Sequence, residues 1–384
     1  MQKSNHTCST PDGWKLHLVR TRKKPQDASS SRLYPVLCVP GLASSGAYSF
    51  DQSPDVSFVD YLASRGFDVW VCELRGNGLS DKASLLEGRS RWWTIDDMVD
   101  RDLPAVIDYV CMATRCSALH VVGHSMGGMI LTAALARGDA TSARMRSVMI
   151  VGSSCFLARS WWGVLAPTLP ASKALYSVPA GAALRLYSAL AFTRLAVRAV
   201  DVLYFWPTNV DPALARAVLA RNFSSISPGV ITQFASAFRP KGLRASRPPY
   251  APYADPGALA KVTTPVMMIT GDKDKMCPPQ GARAQFELLG CADKRLVVLG
   301  PASGNSTHFG HFDILMGKVV HAEVFPQMLA WLARHDTLAD GMDLRSSLSS
   351  SPAPSHAASD AAAAGSGGGG GRAEEGQGGM QSVQ

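Results

Sequence analysis

Short apolar runs alternate with longer amphipathic stretches along most of this chain. Trp14 to Arg20 (WKLHLVR) alternates apolar and polar positions, as an outer strand with one wet face does, and Asp12-Gly13 ahead of it is a turn signal. Tyr34 to Val39, Phe67 to Cys72, Leu119 to Val122, Ser147 to Gly152, Pro265 to Thr270 and Arg295 to Leu299 are apolar nearly throughout. That pattern predicts parallel strands covered on both faces. Between them, helical periodicity runs over Val56 to Arg65, Asp97 to Arg115, Met129 to Arg137, Pro279 to Leu289 and Val319 to Ala333. Gly66 and Gly138 end two of these helices, and Asp102 with Pro104 marks a kink or a fresh start inside another. The alternation predicts an α/β fold with a mainly parallel sheet and helices on both faces.

One block breaks the rhythm. Residues 153–261 are rich in Ala, Leu, Trp, Tyr and Phe and contain no clear strand pattern. The stretch from Ala182 to Phe205 reads as helical, with Arg194, Arg198 and Asp201 on one side of the wheel and Arg185 opposite them. The block is expected to be a helical cap inserted into the core, dividing it into residues 1–152 and 262–337. Its aromatic residues Trp161, Trp162, Tyr204, Phe205 and Trp206 are candidates either for lining an acyl pocket or for plain packing against the core. A membrane-surface helix, giving peripheral membrane contact through the cap, is the alternative for its helical part. From residue 338 the periodicity fades. Ser346 to Gly379 is rich in Ser, Ala and Gly, with five successive glycines from Gly367 to Gly371. Such a segment cannot bury apolar surface, so residues 338–384 are expected to be a disordered low-complexity tail.

Composition narrows the function. The formal net charge is +8, but only 18% of the residues are charged and the basic ones are scattered. There is no nucleic-acid-binding motif and no basic helix interleaved with aromatics, so a nucleic-acid partner is not expected. The eight cysteines (8, 38, 72, 111, 116, 155, 277 and 291) form no C-x-x-C pair, and Cys38 and Cys72 sit inside apolar strand patterns. This is the usage of a reducing compartment rather than a disulfide framework. No apolar leader and no apolar run of membrane-spanning length is seen, so a cytoplasmic location is expected. No obligate protein partner is implied.

Candidate chemistry centres on Leu119-His-Val-Val-Gly-His-Ser-Met-Gly-Gly-Met-Ile130. A strand, a very tight turn and a helix start follow one another, and the turn contains G-x-S-x-G at Gly123, Ser125 and Gly127. A serine that attacks a carbonyl must stand clear of the backbone on such a corner, and glycines remove the side chains that would clash there. The motif alone recurs by chance; its flanking elements and its partners give it weight. A serine hydroxyl needs a base to take its proton and a carboxylate to orient that base. After the strand at Pro265 to Thr270 comes Gly271-Asp272-Lys273-Asp274, and Asp274 is favoured over Asp272 as the acid. After the last strand comes Ser306-Thr-His-Phe-Gly-His-Phe-Asp313. There His311 is favoured over His308 as the base, because it directly precedes an apolar stretch leading to the final helix. An oxyanion would be held by backbone N–H groups: that of Met126, after the nucleophile, and that of Leu42 in the loop Pro40 to Ser45. No His/Cys/carboxylate cluster has zinc spacing, so no metal and no cofactor is expected.

With these residues in place, the chain resembles the α/β-hydrolase family over about Pro11 to Ala333. The motifs that carry the likeness are Pro40-Gly41-Leu42, Arg75-Gly-Asn-Gly-Leu-Ser80, the elbow Gly123 to Gly127, Gly271 to Asp274, and Gly310-His311-Phe-Asp313. Within the family it is most similar to the acid-lipase-like branch, through Phe67-Asp-Val-Trp-Val-Cys-Glu-Leu-Arg-Gly-Asn and Asp102-Leu-Pro-Ala-Val-Ile-Asp108. It departs from that branch in having Pro40 where a histidine often stands and Met126 where glutamine is commoner. The resemblance implies an eight-stranded core, a Ser–Asp–His triad and ester hydrolysis. The expected activity is therefore that of a carboxylic ester hydrolase acting on lipid-like acyl esters. An acyltransferase or peptidase of the same fold, and a non-catalytic ligand-binding homologue, are the alternatives.

Overall fold

The computed structural model describes residues 1–24, 32–53, 55–84, 86–164, 167–190 and 201–337. Eight strands form one sheet: β1 (Gln2–Ser9), β2 (Lys15–Arg22), β3 (Val36–Val39), β4 (Val69–Cys72), β5 (Leu119–His124), β6 (Met145–Val151), β7 (Val266–Gly271) and β8 (Lys294–Leu299). Their order across the sheet is β1-β2-β4-β3-β5-β6-β7-β8. The six strands from β3 to β8 run parallel. Strand β2 is antiparallel to β4, and β1 pairs antiparallel with β2.

Strand β1 was not foreseen, and its composition explains why. In QKSNHTCS only Cys8 is buried, so it carries no apolar alternation. It forms because it is tied to β2 by a tight turn. There Gly13 adopts φ +83° and donates its N–H to Thr10 O at 2.9 Å. A polar outermost strand also leaves a soluble sheet edge.

The inner strands are apolar throughout because successive residues enter two different cores. Val36, Cys38, Val69, Val71 and Val122 pack with α1 (Phe58–Ala63) and α8 (Phe325–His335). Leu37, Val39, Trp70, Cys72 and Val121 face the other way, toward α2 (Leu103–Thr114), α3 (Met126–Arg137) and α7 (Pro279–Leu288). Helices α1 and α8 are shorter than the periodicity suggested. Val56–Ser57 pairs with Asp51–Ser53 in a small ribbon before α1, and a separate turn, Val320–Glu323, precedes α8. The expected break near Asp102 and Pro104 is a π-helical turn, Met98–Asp102, that leads straight into α2.

Between β6 and β7 the described residues add no strand to the sheet. They form α4 (Ala180–Leu190), α5 (Pro212–Arg221), α6 (Pro228–Phe234) and shorter turns. Residues 191–200, with Arg194 and Arg198, lie outside the described residues, as does the tail from residue 338. No helix among the described residues is long and apolar enough to cross a membrane.

The π-turn serves an ion pair. Asp102 is fully buried, and burial raises its carboxyl pKa against the opposing pull of the Arg75 guanidinium. Arg75 Nε lies 2.8 Å from Asp102 Oδ1, its backbone N–H 3.1 Å from Oδ2, and Nη1 and Nη2 hold Asp12 at 2.8 and 3.1 Å. Removing one member would strand the other without water. Asp102→Ala is therefore expected to lower stability by about 3–5 kcal/mol, read as a drop in the urea midpoint. A change below about 1 kcal/mol, the range of exposed pairs, would show the pair to be solvated.

Candidate functional site

The loops after β3, β5, β7 and β8 meet at the carboxyl rim of the sheet, where a parallel α/β sheet gathers its functional groups. At the end of β5 the chain turns into α3 through Ser125, at φ +54° and ψ −123°. This left-handed backbone is rare for a residue with a side chain and is retained where neighbours over-determine it. The neighbours here are close. Ser125 N–H donates to Val151 O at 2.9 Å, and Ser125 O accepts from Gly128 N at 2.9 Å and Ser153 Oγ at 2.5 Å. A Cβ at Gly127 would stand 2.2 Å from Val39 O, and one at Gly123 would stand 2.7 Å from Gly127 C. The glycines thus let the start of α3 press onto β3 and β5.

That contact also brings in the loop after β3. A Cβ on Gly41 would meet Ser125 Cβ at 2.9 Å, so Gly41-Leu42 runs directly past the serine. Glu73 holds the far end of this loop, accepting from Ser45 Oγ at 2.7 Å and Gly46 N at 3.0 Å. Among the described residues, the backbone N–H groups of Leu42 and Met126 make no hydrogen bond to protein.

The structure pairs the four acid and base candidates two by two. His311 Nδ1 lies 2.8 Å from Asp274 Oδ2, and both side chains are completely buried. The other Asp274 oxygen accepts from the N–H groups of Met276 and Cys277 at 2.9 and 2.8 Å. The competing residues find each other instead: His308 Nδ1 is 2.5 Å from Asp272 Oδ2, in a pair with side chains 35% and 23% exposed. His311 Nε2 is buried and has no hydrogen-bond partner among the described residues. The arrangement leaves a buried imidazole with one nitrogen committed to a carboxylate and the other uncommitted.

Three further residues set this geometry, and sequence reasoning passed over their roles. His124 packs against His311 with ring centroids 4.8 Å apart and planes tilted by 46°, and its Nε2 lies 3.2 Å from His311 O. Ser153 fixes the carbonyl of Ser125. Asp313 accepts from Gly310 N, Trp206 N and Asn209 Nδ2; burial pushes its carboxyl up to about 6, against the pull of those donors. His124 and Asp313 lie inside the elbow and the Gly310-His311-Phe-Asp313 motif, which was the one available signal.

The aromatic residues of the 153–261 block divide. Tyr204 and Phe205 are buried against Phe312, with centroids 6.0 and 5.9 Å away, so for these two the packing reading holds. Trp206 meets His308 edge-on, Trp161 is about half exposed, and the Trp162 side chain lies outside the described residues. A narrow crevice of about 10 Å³ beside the serine turn is lined on its apolar side by Leu42, Ala43, Trp93, Met98, Met126, Ile226 and Val230, and elsewhere by Arg75, Asn77, Ser225 and Ser227.

Comparison with known proteins identifies the family and the fold. The α/β-hydrolase-fold family model matches residues 34–312, and the chain belongs to that family. It is 30% identical over 141 residues to a tear acid lipase-like protein of Mesocricetus auratus, covering 36% of this chain and 35% of that one. It is also 30% identical over 142 residues to gastric triacylglycerol lipase of Homo sapiens, covering 36% of each. The matches span about a third of the length of these relatives. Among solved structures, a soluble variant of monoglyceride lipase from Saccharomyces cerevisiae has TM-score 0.56 at 16% identity, covering 88% of this chain and 97% of that one. An esterase from Exiguobacterium antarcticum has TM-score 0.54 at 16% identity, covering 86% and 98%. These structural likenesses show the fold.

Burial, followed by the positive charge of a protonated His311, lowers the pKa of His124 to about 3. An unfolded histidine titrates near ~6.5. Between these values the unfolded chain binds the extra proton, so this contribution to stability is present above ~6.5 and is lost as pH falls toward 3. His124→Asn cannot titrate. Between about pH 7.5 and pH 5 it is expected to lose about 1–2 kcal/mol less stability than the wild type. Urea midpoints at both pH values give the difference, and identical pH dependence in the two proteins would contradict the assignment.

Proposed function

We propose that this protein is a serine hydrolase that cleaves carboxylic esters with lipid-like acyl groups. Ser125 attacks the carbonyl, and His311 accepts its proton through Nε2 and passes it to the leaving alcohol. Asp274 holds His311 in the tautomer that leaves Nε2 free to act and stabilises the imidazolium. The N–H groups of Met126 and Leu42 hold the oxyanion. Water then resolves the acyl-enzyme. The observation that carries this reading is the buried Asp274–His311 pair, with His311 Nε2 uncommitted and its ring against His124, the residue before the strained Ser125.

The choice of acyl group rests on the lining of the crevice and on the names of the relatives. Leu42, Trp93, Met98, Met126, Ile226 and Val230 offer an apolar wall beside Ser125. At about 10 Å³ the crevice barely reaches the ~10–15 Å³ that one water requires. An acyl chain therefore enters only when the 153–261 block, acting as a cap, moves. Leu175, Tyr176 and Leu186 on that block are about half exposed, which supports peripheral contact with a lipid surface.

Ser125→Ala is expected to stay folded by circular dichroism. It should lose at least about 10³-fold in turnover of short-chain esters, together with labelling by a fluorophosphonate probe. Full activity in the folded variant would sink the mechanism.

Flotation with anionic liposomes checks the surface contact. The wild type is expected to float, and Leu186→Glu to float less. Protein that stays at the bottom of the gradient would reject that part of the reading.

A further inference from the structure

The histidine loop is tied to the inserted block as well as to the core. Asp313 is completely buried. Its Oδ1 accepts from Gly310 N at 2.9 Å and Trp206 N at 3.1 Å, and its Oδ2 from Gly310 N at 3.0 Å and Asn209 Nδ2 at 3.0 Å. Asp313 is the first residue of a short helix, Asp313–Met316, whose N-cap position is Phe312. The carboxylate thus bridges its own loop, at Gly310, to a segment about a hundred residues away, at Trp206 and Asn209. Backbone bonds run alongside: Tyr204 O accepts from His311 N at 3.2 Å and Phe312 N at 2.9 Å, and Asn209 O accepts from Lys318 N at 2.6 Å. The two segments touch so closely that a Cβ on Gly310 would stand 2.8 Å from Phe205 C and Trp206 N. One on Gly317 would stand 2.6 Å from Asn209 Nδ2.

We propose that Asp313 is a positioning residue: it clamps residues 204–209, the return of the inserted block, onto the histidine loop, so that His311 meets Asp274 only while that return is docked. This deepens the reading of His311 as the base and rests on it. The physical case is one of connectivity. Gly310 and His311 lie in a loop whose core-side tethers are few. Phe309 N bonds Asp272 Oδ1 at 3.1 Å, Phe309 O accepts from Lys273 N at 2.9 Å, the His311 ring bonds Asp274, and the His311 carbonyl bonds His124. Both N–H groups that flank Gly310 Cα on the far side, those of His311 and Phe312, are satisfied by the inserted block alone. If residues 204–209 lift away, a buried carboxylate loses two of its donors, keeping only Gly310 N, and two backbone N–H groups lose their acceptor at the same time. The loop must then rearrange to satisfy them. Motion of the insert, which access to the crevice requires, is in this way transmitted to the base. A small displacement suffices, because a misplacement of about 1 Å can lower a rate ~10²-fold.

The test compares Asp313→Asn and Asn209→Ala with the full-length wild type. Asp313→Asn keeps the shape but turns an amide group toward N–H donors. Asn209→Ala removes one of the two hydrogen bonds from the insert to Asp313 and leaves Gly310 and Trp206 bonded. Two readings are taken on folded protein. The first is kcat and KM for a short soluble ester. The second is the downfield proton resonance of the His311 Nδ1–H held by Asp274, assigned by its loss in Asp274→Ala. Both variants are expected to lose about 10-fold to 100-fold in kcat with KM nearly unchanged, and the resonance should broaden or vanish. A merely structural role would lower the folded fraction and leave the resonance of the folded remainder in place, which would overturn the proposal. If Asp313→Asn does not fold, Asn209→Ala decides by the same two readings. A wild type that shows the resonance but turns over no ester would refute the ester reading, and the clamp would stand or fall on the resonance alone.

Discussion

The left-handed backbone of Ser125 is the constraint from which the rest of the rim follows. Such a residue costs on the order of 1–3 kcal/mol unless its surroundings hold it there. Here β6 accepts its N–H, Ser153 and Gly128 hold its carbonyl, and the helix that follows presses onto β3 through Gly127. Each of these contacts also does something else. The pressure on β3 aims the Pro40 to Ser45 loop past the serine, and the link to β6 sets the height at which His124 meets His311. A serine in a relaxed conformation at this position would release the loop, the helix start and the packed histidines together. The strain is local, and its supports reach across three strands, β3, β5 and β6.

A second set of constraints lies behind the rim and is electrostatic. Arg75 follows β4 and draws together Asp12 from the β1–β2 turn and Asp102 from the π-turn before α2. Arg101 reaches the same Asp12 at 2.7 Å. The β1–β2 hairpin packs almost no apolar surface through β1, so these charges are much of what orients its turn. A buried pair of this kind adds less stability than its geometry suggests, because both ions have lost their water. Its role here is to fix position: only one arrangement of the three elements leaves no ion unpaired.

The parts legible in the sequence are those where local pattern and tertiary role coincide. The strands from β3 to β8 read as apolar because each is covered twice, and the serine turn read as a turn because its glycines serve the close approach to β3. What escaped was determined by partners distant in sequence. Strand β1 has no apolar signature, since it pairs only along one edge and buries only Cys8. Tyr204 and Phe205 looked the same as residues that line a pocket, and only the position of Phe312 shows that they pack. The role of Asp313 depends on Trp206 and Asn209, roughly a hundred residues earlier, and no spacing rule links them.

The two Asp–His pairs show how little residue identity decides and how much burial does. Asp272–His308 and Asp274–His311 have the same chemistry, similar distances and neighbouring positions on the same two loops. In the half-wet pair, water screens the carboxylate and competes for the imidazole, so the interaction belongs with surface ion pairs of small net energy. In the dry pair the same charges act at a much lower effective dielectric, where orientation of the ring and stabilisation of a developing imidazolium count for several times more. The half-wet pair still serves the dry one. Asp272 also accepts from Phe309 N, so it ties the acid loop to the histidine loop two residues before His311. Doubling the motif thus yields one half-exposed pair that braces the two loops and one pair sealed from water, and the depth of each in the rim separates them.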